Sequence, residues 1–386
     1  MLIRKITKDE KKAAELISAS AFHFHIDDID SHMREQREYP PDDWGAFNDE
    51  GVLMSHVIDN DFETYFDGSL IKTGGIGAVS TLPEYRNSGA VRQIITRILE
   101  EDCKSGKIMS MLMPFSHEFY RKFGFETICV KNVCSFPPSV FSAKRFDGRA
   151  VSWDDRQGAS DYVKVYERFA SDYNFMAKRD ERKYLDDILQ GEPHKSGIFC
   201  YMLYEGGPVA YLRYKYENNG GNTMKITDLA WDGAKGFAAL TGFIGRFTAD
   251  YDRVVMPVPT SIDLCSLASA PYDMEKKPLC SYMARPIDTA KILEVMKKPP
   301  EASFVIQVND KLISRNNGTW RTDHDGVTAS SDAPDIIVSE RALAQLSSGA
   351  IDLREASYRD DVKIIKNEYT LESVFVHKPL FTEEDF

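Results

Sequence analysis

The sequence predicts an α+β protein of tandem units, each a mixed and mostly antiparallel sheet with helices, and three observations predict it. Residues 74–106 read as strand, loop and helix. The same element order returns between residues 197 and 258, an internal repeat. From residue 285 onward, short apolar strands and helices alternate around turn signals, which makes a third unit. A chain of 386 residues, 42% hydrophobic and 11% aromatic, has the length for roughly two to three domains and the apolar content for their cores.

Taken in order, residues 2–6 read as a strand and 11–22 as a helix. The segment Phe22-His23-Phe24-His25-Ile26-Asp27-Asp28 then mixes aromatics, histidines and acids. Alternate histidines without further spaced ligands read as packing or solvated side chains, so no metal is expected. Residues 43–82 form a β-meander, with Asp49-Glu50-Gly51 and Asp67-Gly68-Ser69 as turns between strands at 44–47, 52–58, 62–66 and 76–82.

After the last of these strands comes Arg86-Asn87-Ser88-Gly89-Ala90, followed by a helix with one apolar stripe, Val91, Ile94, Ile95, Ile98 and Leu99, and Gly106 as its left-handed cap. A helix that starts in this loop points unpaired N–H groups and its positive dipole end at whatever sits above it. Gly89 lets the backbone approach without a Cβ, and Arg86 adds a charge-assisted donor. The loop suits a pyrophosphate. It has neither the G-x-x-x-x-G-K-[ST] spacing nor the G-x-G-x-x-G of dinucleotide folds. Residues 107–113 read as the next strand, and His117-Glu118-Phe119-Tyr120-Arg121-Lys122-Phe123-Gly124-Phe125 as a short helix closed by Gly124.

Pro137-Pro138 and the charged stretch 143–149 mark a first boundary. The second unit then runs through helices at 160–168 and 179–189, strands at 197–204, 209–216 and 224–231, a helix carrying Phe237, Leu240, Ile244 and Phe247, and a strand at 253–258. Between its third strand and its helix stands Asp232-Gly233-Ala234-Lys235-Gly236, with no arginine and with an acid that would repel an anion. Arg285-Pro286 marks the second boundary. Beyond it lie a helix at 289–297, a hairpin of 304–308 and 311–314 about Asn309-Asp310, a strand at 318–321, and a strand at 336–338 leading into the Ser339-capped helix 340–346.

The order strand, R-x-x-G-x loop, helix, strand and F-Y-x-x-F-G-F is similar to that of the GNAT acetyltransferases, with Val91 where that loop keeps Gly or Ala. The whole chain resembles one branch, the enhanced intracellular survival (Eis) family of N-acetyltransferases. That resemblance implies a catalytic GNAT domain over residues 1–140, a degenerate second GNAT-like domain over 141–284 and a sterol-carrier-like domain over 285–386. It implies acetyl-CoA as co-substrate, held by Val79, Thr81, Arg86, Asn87, Ser88, Gly89, Ala90 and Val91. Tyr120 falls near the thioester sulfur, where its reference pKa of about 10 suits it to protonate the departing thiolate. The resemblance also implies that the carboxylate of Phe386, the last residue of the sequence, enters the active site as base. Phe24, Asp27, Asp28 and Asp385 become the acceptor contacts, a negative pocket for an aminoglycoside, polyamine or lysine-like amine. A homohexamer, built as a trimer of dimers, is the implied assembly. The rival expectation is a non-catalytic CoA- or lipid-binding sensor or carrier on the same scaffold.

A net charge of −12, from 60 acids against 48 bases, argues against nucleic acid as partner and permits a cationic one. No apolar run is long enough to span a membrane. Charge interrupts the first ten residues where a signal peptide needs its apolar core, and the six cysteines show no metal or disulfide framework. A cytoplasmic protein is therefore expected.

Overall fold

Twelve strands of the first two units join into one sheet. A computed structural model describes residues 1–27, 29, 42–153, 159–185, 197–218 and 220–384. Along that sheet the order is β1 (Leu2–Lys5), β2 (Asp42–Phe47), β3 (Leu53–Phe66), β4 (Ser69–Thr81), β5 (Met109–Leu112), β12 (Glu275–Pro286), β6 (Glu126–Phe136), β11 (Arg253–Pro259), β10 (Asn222–Trp231), β9 (Pro208–Asn218), β8 (Ile198–Tyr204) and β7 (Arg149–Ser152). β12 comes from the end of the second unit, yet lies antiparallel to both β5 and β6 of the first. The repeats therefore share a continuous sheet.

The first unit forms where the sequence places it. β3 and β4 are a long hairpin turned at Asp67 and Gly68, both with positive φ (49° and 81°), the conformation that matches the strand twist. The expected strands at 52–58 and 62–66 are one strand. The polar stretch Asp59-Asn60-Asp61 does not break it, because Lys107 bonds both Asp59 and Asp61 at 2.7 Å. Helix α1 (Lys11–Phe22) covers β3 and β4, and helix α2 (Ala90–Ser105) buries Ile94, Ile95, Ile98 and Leu99 against Trp44, Val57, Ile76 and Phe125.

The opposite face of this part of the sheet is covered by the third unit. Phe66, Ile71, Met109, Met111, Ile128 and Tyr282 share a core with Phe304, Ile306, Leu343 and Leu346. The third unit carries its own five-stranded sheet, ordered β15 (Gly326–Ala329), β14 (Gly318–Asp323), β13 (Phe304–Asn309), β16 (Ile336–Ser339) and β17 (Val362–Ile364). The expected hairpin about Asn309-Asp310 is replaced by a β13–β14 pairing. The Asp310 carboxylate accepts from the N–H groups of Leu312 and Ile313, which curls those residues into a turn, and it pairs with the fully buried Arg285. In the second unit, the expected helix at 179–189 begins at Glu181–Lys183 with Asp180 as its cap, and residues 186–189 lie outside the described residues.

Candidate active site

β4 pairs with β5 only as far as Ile76 and Leu112. Beyond that point the two strands part. On its other edge β4 carries a bulge, since Val57 stands opposite both Ala78 and Val79, and Ala78 has a φ of 48°. A bulge re-aims backbone groups, and here it turns the Ala78–Val79 segment into the gap. Val79, one of the expected cofactor contacts, lies on this segment.

At the end of β4 the chain enters the phosphate-type loop. Asn87 and Gly89 both have positive φ (64° and 82°), and Gly89 caps α2 from the left-handed region. A Cβ at Gly89 would meet nothing within 4 Å, so this position requires glycine for its backbone conformation. The Ala90 N–H reaches the Ser88 hydroxyl at a long 3.4 Å, and the next amides, being in the first turn, have no partner within the helix. Val79, Thr81, Arg86, Asn87, Ser88, Gly89, Ala90 and Val91, the residues expected to hold the cofactor, all line one cavity of about 780 Å³. The Arg86 side chain makes no hydrogen bond or ion pair among the described residues.

Two further cations, Arg92 and Lys122, line the same cavity, and no Asp or Glu does among the described residues. Sequence reasoning missed both. Arg92 lies in the first turn of α2, three residues after Gly89, a helical spacing that could have found it. Lys122 comes from the end of the Phe-Tyr-Arg-Lys helix and needs the fold to bring it there. The chain is acidic overall, yet this cavity is electropositive, with Phe22, Phe115, Phe119 and Phe123 as apolar walls.

A second cavity of about 360 Å³ adjoins the first through Phe22, Val79 and Phe115, which line both. Gly77, Ala78, Phe24 and Tyr120 also line it. Tyr120 sits on helix α3 (His117–Arg121), which Ser116 caps by accepting from the Phe119 N–H. The ring is 2% exposed and makes edge contacts with Phe115, Phe119 and Phe125. Its hydroxyl has no hydrogen-bond partner among the described residues, and burial pushes its pKa well above the ordinary tyrosine value. The group is a protonated donor on a residue that lines the cavity.

Of the other expected site residues, Asp27 is exposed, lies 3.2 Å from His25 and lines neither cavity. Asp28, Asp385 and Phe386 fall outside the described residues. The tail is fixed up to Glu384. This residue is buried, bonds Arg179 at 3.0 Å and Lys183 at 2.9 Å, and accepts from the Tyr282 hydroxyl at its carbonyl. The Arg179 and Lys183 partners hold its carboxyl below the usual range against the opposing effect of burial.

Comparison with known proteins agrees with this architecture. Residues 2–128 match the acetyltransferase (GNAT) domain family, and residues 285–382 match the sterol carrier protein domain family. The chain accordingly carries a GNAT acetyltransferase domain, which makes it an enzyme of the N-acetyltransferase class, together with a sterol-carrier-like domain. Among solved structures it is similar over its whole length to a GCN5-related N-acetyltransferase from Anabaena variabilis (TM-score 0.88, 17% identity, 100% of both chains). A probable N-acyltransferase from Enterococcus faecalis gives a TM-score of 0.87 at 22% identity, over 100% of this chain and 99% of that one. Eis1 from Mycobacterium abscessus gives 0.86 at 19% identity, over 100% of both chains. No curated protein matches the sequence. Among the described residues no helix is long and apolar enough to cross a membrane.

Proposed function

We propose that the protein transfers the acetyl group of acetyl-CoA to the amine of a small cationic acceptor, with Tyr120 as general acid. One observation carries this reading. Among the described residues, a buried tyrosine whose hydroxyl has no partner lines a cavity that opens at a β-bulge into an electropositive cavity lined by no Asp or Glu, at a helix N-terminus. The diphosphate of the cofactor lies over residues 86–91 with Arg86, Arg92 and Lys122 around it. The pantetheine arm enters where β4 and β5 part, and the Val79 amide donates to the thioester oxygen as charge develops there. A forming thiolate is basic enough to take the Tyr120 proton. A sensor or carrier would have no use for that hydroxyl.

The acceptor side is lined by Phe22, Phe24, Ile58, Met113 and Phe115, with Glu15 as its acid. An aminoglycoside, polyamine or lysine-like amine that presents an apolar flank beside its ammonium group fits this lining. Similarity to the Eis family adds the Phe386 carboxylate as base and Asp385 as a pocket acid. The anchoring of Glu384 on Tyr282 supports it, because β12 borders β5 at the strand end where the gap begins. The assembly is proposed from the same likeness to be a hexamer.

Thiol release from acetyl-CoA with a panel of amines tests the reading. Tyr120→Phe is expected to lower kcat by about 10²-fold or more while CoA still binds. Unchanged turnover would remove the tyrosine from the mechanism. Adding residues after Phe386 is expected to abolish transfer with CoA binding intact, and full turnover by the extended protein would remove the carboxylate.

A further inference from the structure

The acceptor arrives as an ammonium ion, and something must take its proton before nitrogen can attack. A carboxylate with a reference pKa of about 3.5 is poorly matched to that task, whereas an imidazole near 6.5 is better placed. β3 carries an imidazole, His56, next to the acceptor cavity. His56 is 1% exposed, and its Nε2 lies 2.8 Å from Asp43 Oδ1. A carboxylate can only accept, so Nε2 carries the hydrogen, and in the neutral ring Nδ1 holds a lone pair. Ser18 Oγ on helix α1 lies 3.2 Å from that Nδ1 and donates to it. Ser18 lines the second cavity together with Tyr120, Ala78 and Val79. Ser80 Oγ, 3.5 Å from Ser18 Oγ, lies against the same hydroxyl and lines the cofactor cavity. Lys11 holds the far oxygen of Asp43 at 3.2 Å.

We infer that Ser18, His56 and Asp43 form a proton relay that deprotonates the acceptor amine, with Ser18 as the catalytic residue at the substrate and His56 and Asp43 acting through it. The inference rests on the acetyl-transfer reading above and replaces its base: the proton acceptor is on the α1 wall of the cavity, and the Phe386 carboxylate of that reading is left to hold the ammonium group by charge. Ser18 Oγ takes a proton from the ammonium group as its own proton passes to His56 Nδ1. The imidazolium so formed is held by the Asp43 carboxylate. The neutral amine then forms the C–N bond to the thioester carbon and the C–S bond breaks. The thiolate takes the Tyr120 proton, and the tyrosinate recovers one from the new amide nitrogen. His56 finally releases its proton to solvent, so the net products are the amide, the free thiol and one proton. Helix α1 thereby does more than cover the sheet. It buries Ala14, Ile17 and Ser18 on one face, and the serine is the polar member of that face.

The test is steady-state acetylation of an amine that the native protein uses, comparing native protein with Ser18→Ala, His56→Gln and the double variant. Expected is a fall in kcat on the order of 10²-fold in each single variant, with KM for acetyl-CoA unchanged. The double variant is expected to be no slower than the worse single one, since both remove one pathway. A purely structural role would lower thermal stability and multiply in the double variant. If His56→Gln does not fold, Ser18→Ala decides alone, because it removes one hydroxyl and leaves the backbone of α1 intact. Turnover within twofold of native in Ser18→Ala, or multiplicative losses in the double variant, would overturn the relay and leave the acetyl-transfer reading standing. Native protein that transfers no acetyl group to any amine would overturn both.

Discussion

Lys107 shows how one side chain can settle the course of a strand. It is buried, and it bonds Asp59, Asp61 and Asp102, each at 2.7 Å. Burial and the charge of Asp102 raise the Asp59 carboxyl far above the ordinary carboxylate value. The sign of the pH effect follows. A carboxyl whose folded pKa exceeds its unfolded value of about 3.9 contributes stability at low pH, and that contribution is lost as pH rises toward the folded value. Asp59→Asn, which copies the protonated acid, is expected to gain in Tm relative to native protein as pH is raised from 5 to 8. Melting curves at the two pH values check it, and a Tm difference that shrinks with pH would contradict it. The same residue scale shows what the sequence made legible. Gly89, Arg86 and Tyr120 lie within local patterns whose chemistry depends on near neighbours. Ser18, Asp43 and His56 carry no such pattern. They meet only because helix α1 crosses β3 and a bulge sets the register between β3 and β4.

At the scale of elements, the five-residue helix that carries Tyr120 is too short to hold itself and depends on its surroundings. Arg121 bonds Glu126 at 2.7 Å, and Glu126 lies near Arg341 and Arg359 of the third unit. Arg285, fully buried, donates to the Phe123 carbonyl and pairs with Asp310. Gly124 has a φ of 80°, and a Cβ there would sit 2.8 Å from Arg285 Nη1 and 2.9 Å from Glu340 Cγ. Gly124→Ala therefore meets a strained backbone and a clash together. It is expected to cost about 1–3 kcal/mol in urea unfolding and to lower kcat more than acetyl-CoA binding. Unaltered stability and turnover would show that the third unit does not hold this helix. The sequence revealed the helix and its glycine stop, but not the arginine behind it. Nothing local says that a residue 162 positions away will pack there. The misread hairpin at 309–310 has the same cause, since Asp310 is claimed by Arg285 and by its own turn.

For the whole molecule, the internal repeat and the third unit were visible in the sequence, whereas the way they join was not. Placing β12 between β5 and β6 is a long-range pairing with no local signature, and it ties the second unit to the strand at which the active-site gap opens. The third unit closes the opposite face through a common core, so all three units meet around the first. Charge is arranged at this scale too. The chain carries a net −12, yet gathers Arg86, Arg92 and Lys122 at one cavity without an opposing carboxylate among the described residues. That contrast steers a polyanion to one place. Calorimetric titration of acetyl-CoA into native protein and Arg86→Ala tests it most directly. Expected is one site per chain in the native protein and affinity weaker by about 10- to 100-fold in the variant, as loss of a charged hydrogen bond worth about 1.5–3 kcal/mol requires. An absence of binding heat in the native protein, or equal affinity in the two, would contradict a diphosphate held by residues 86–91.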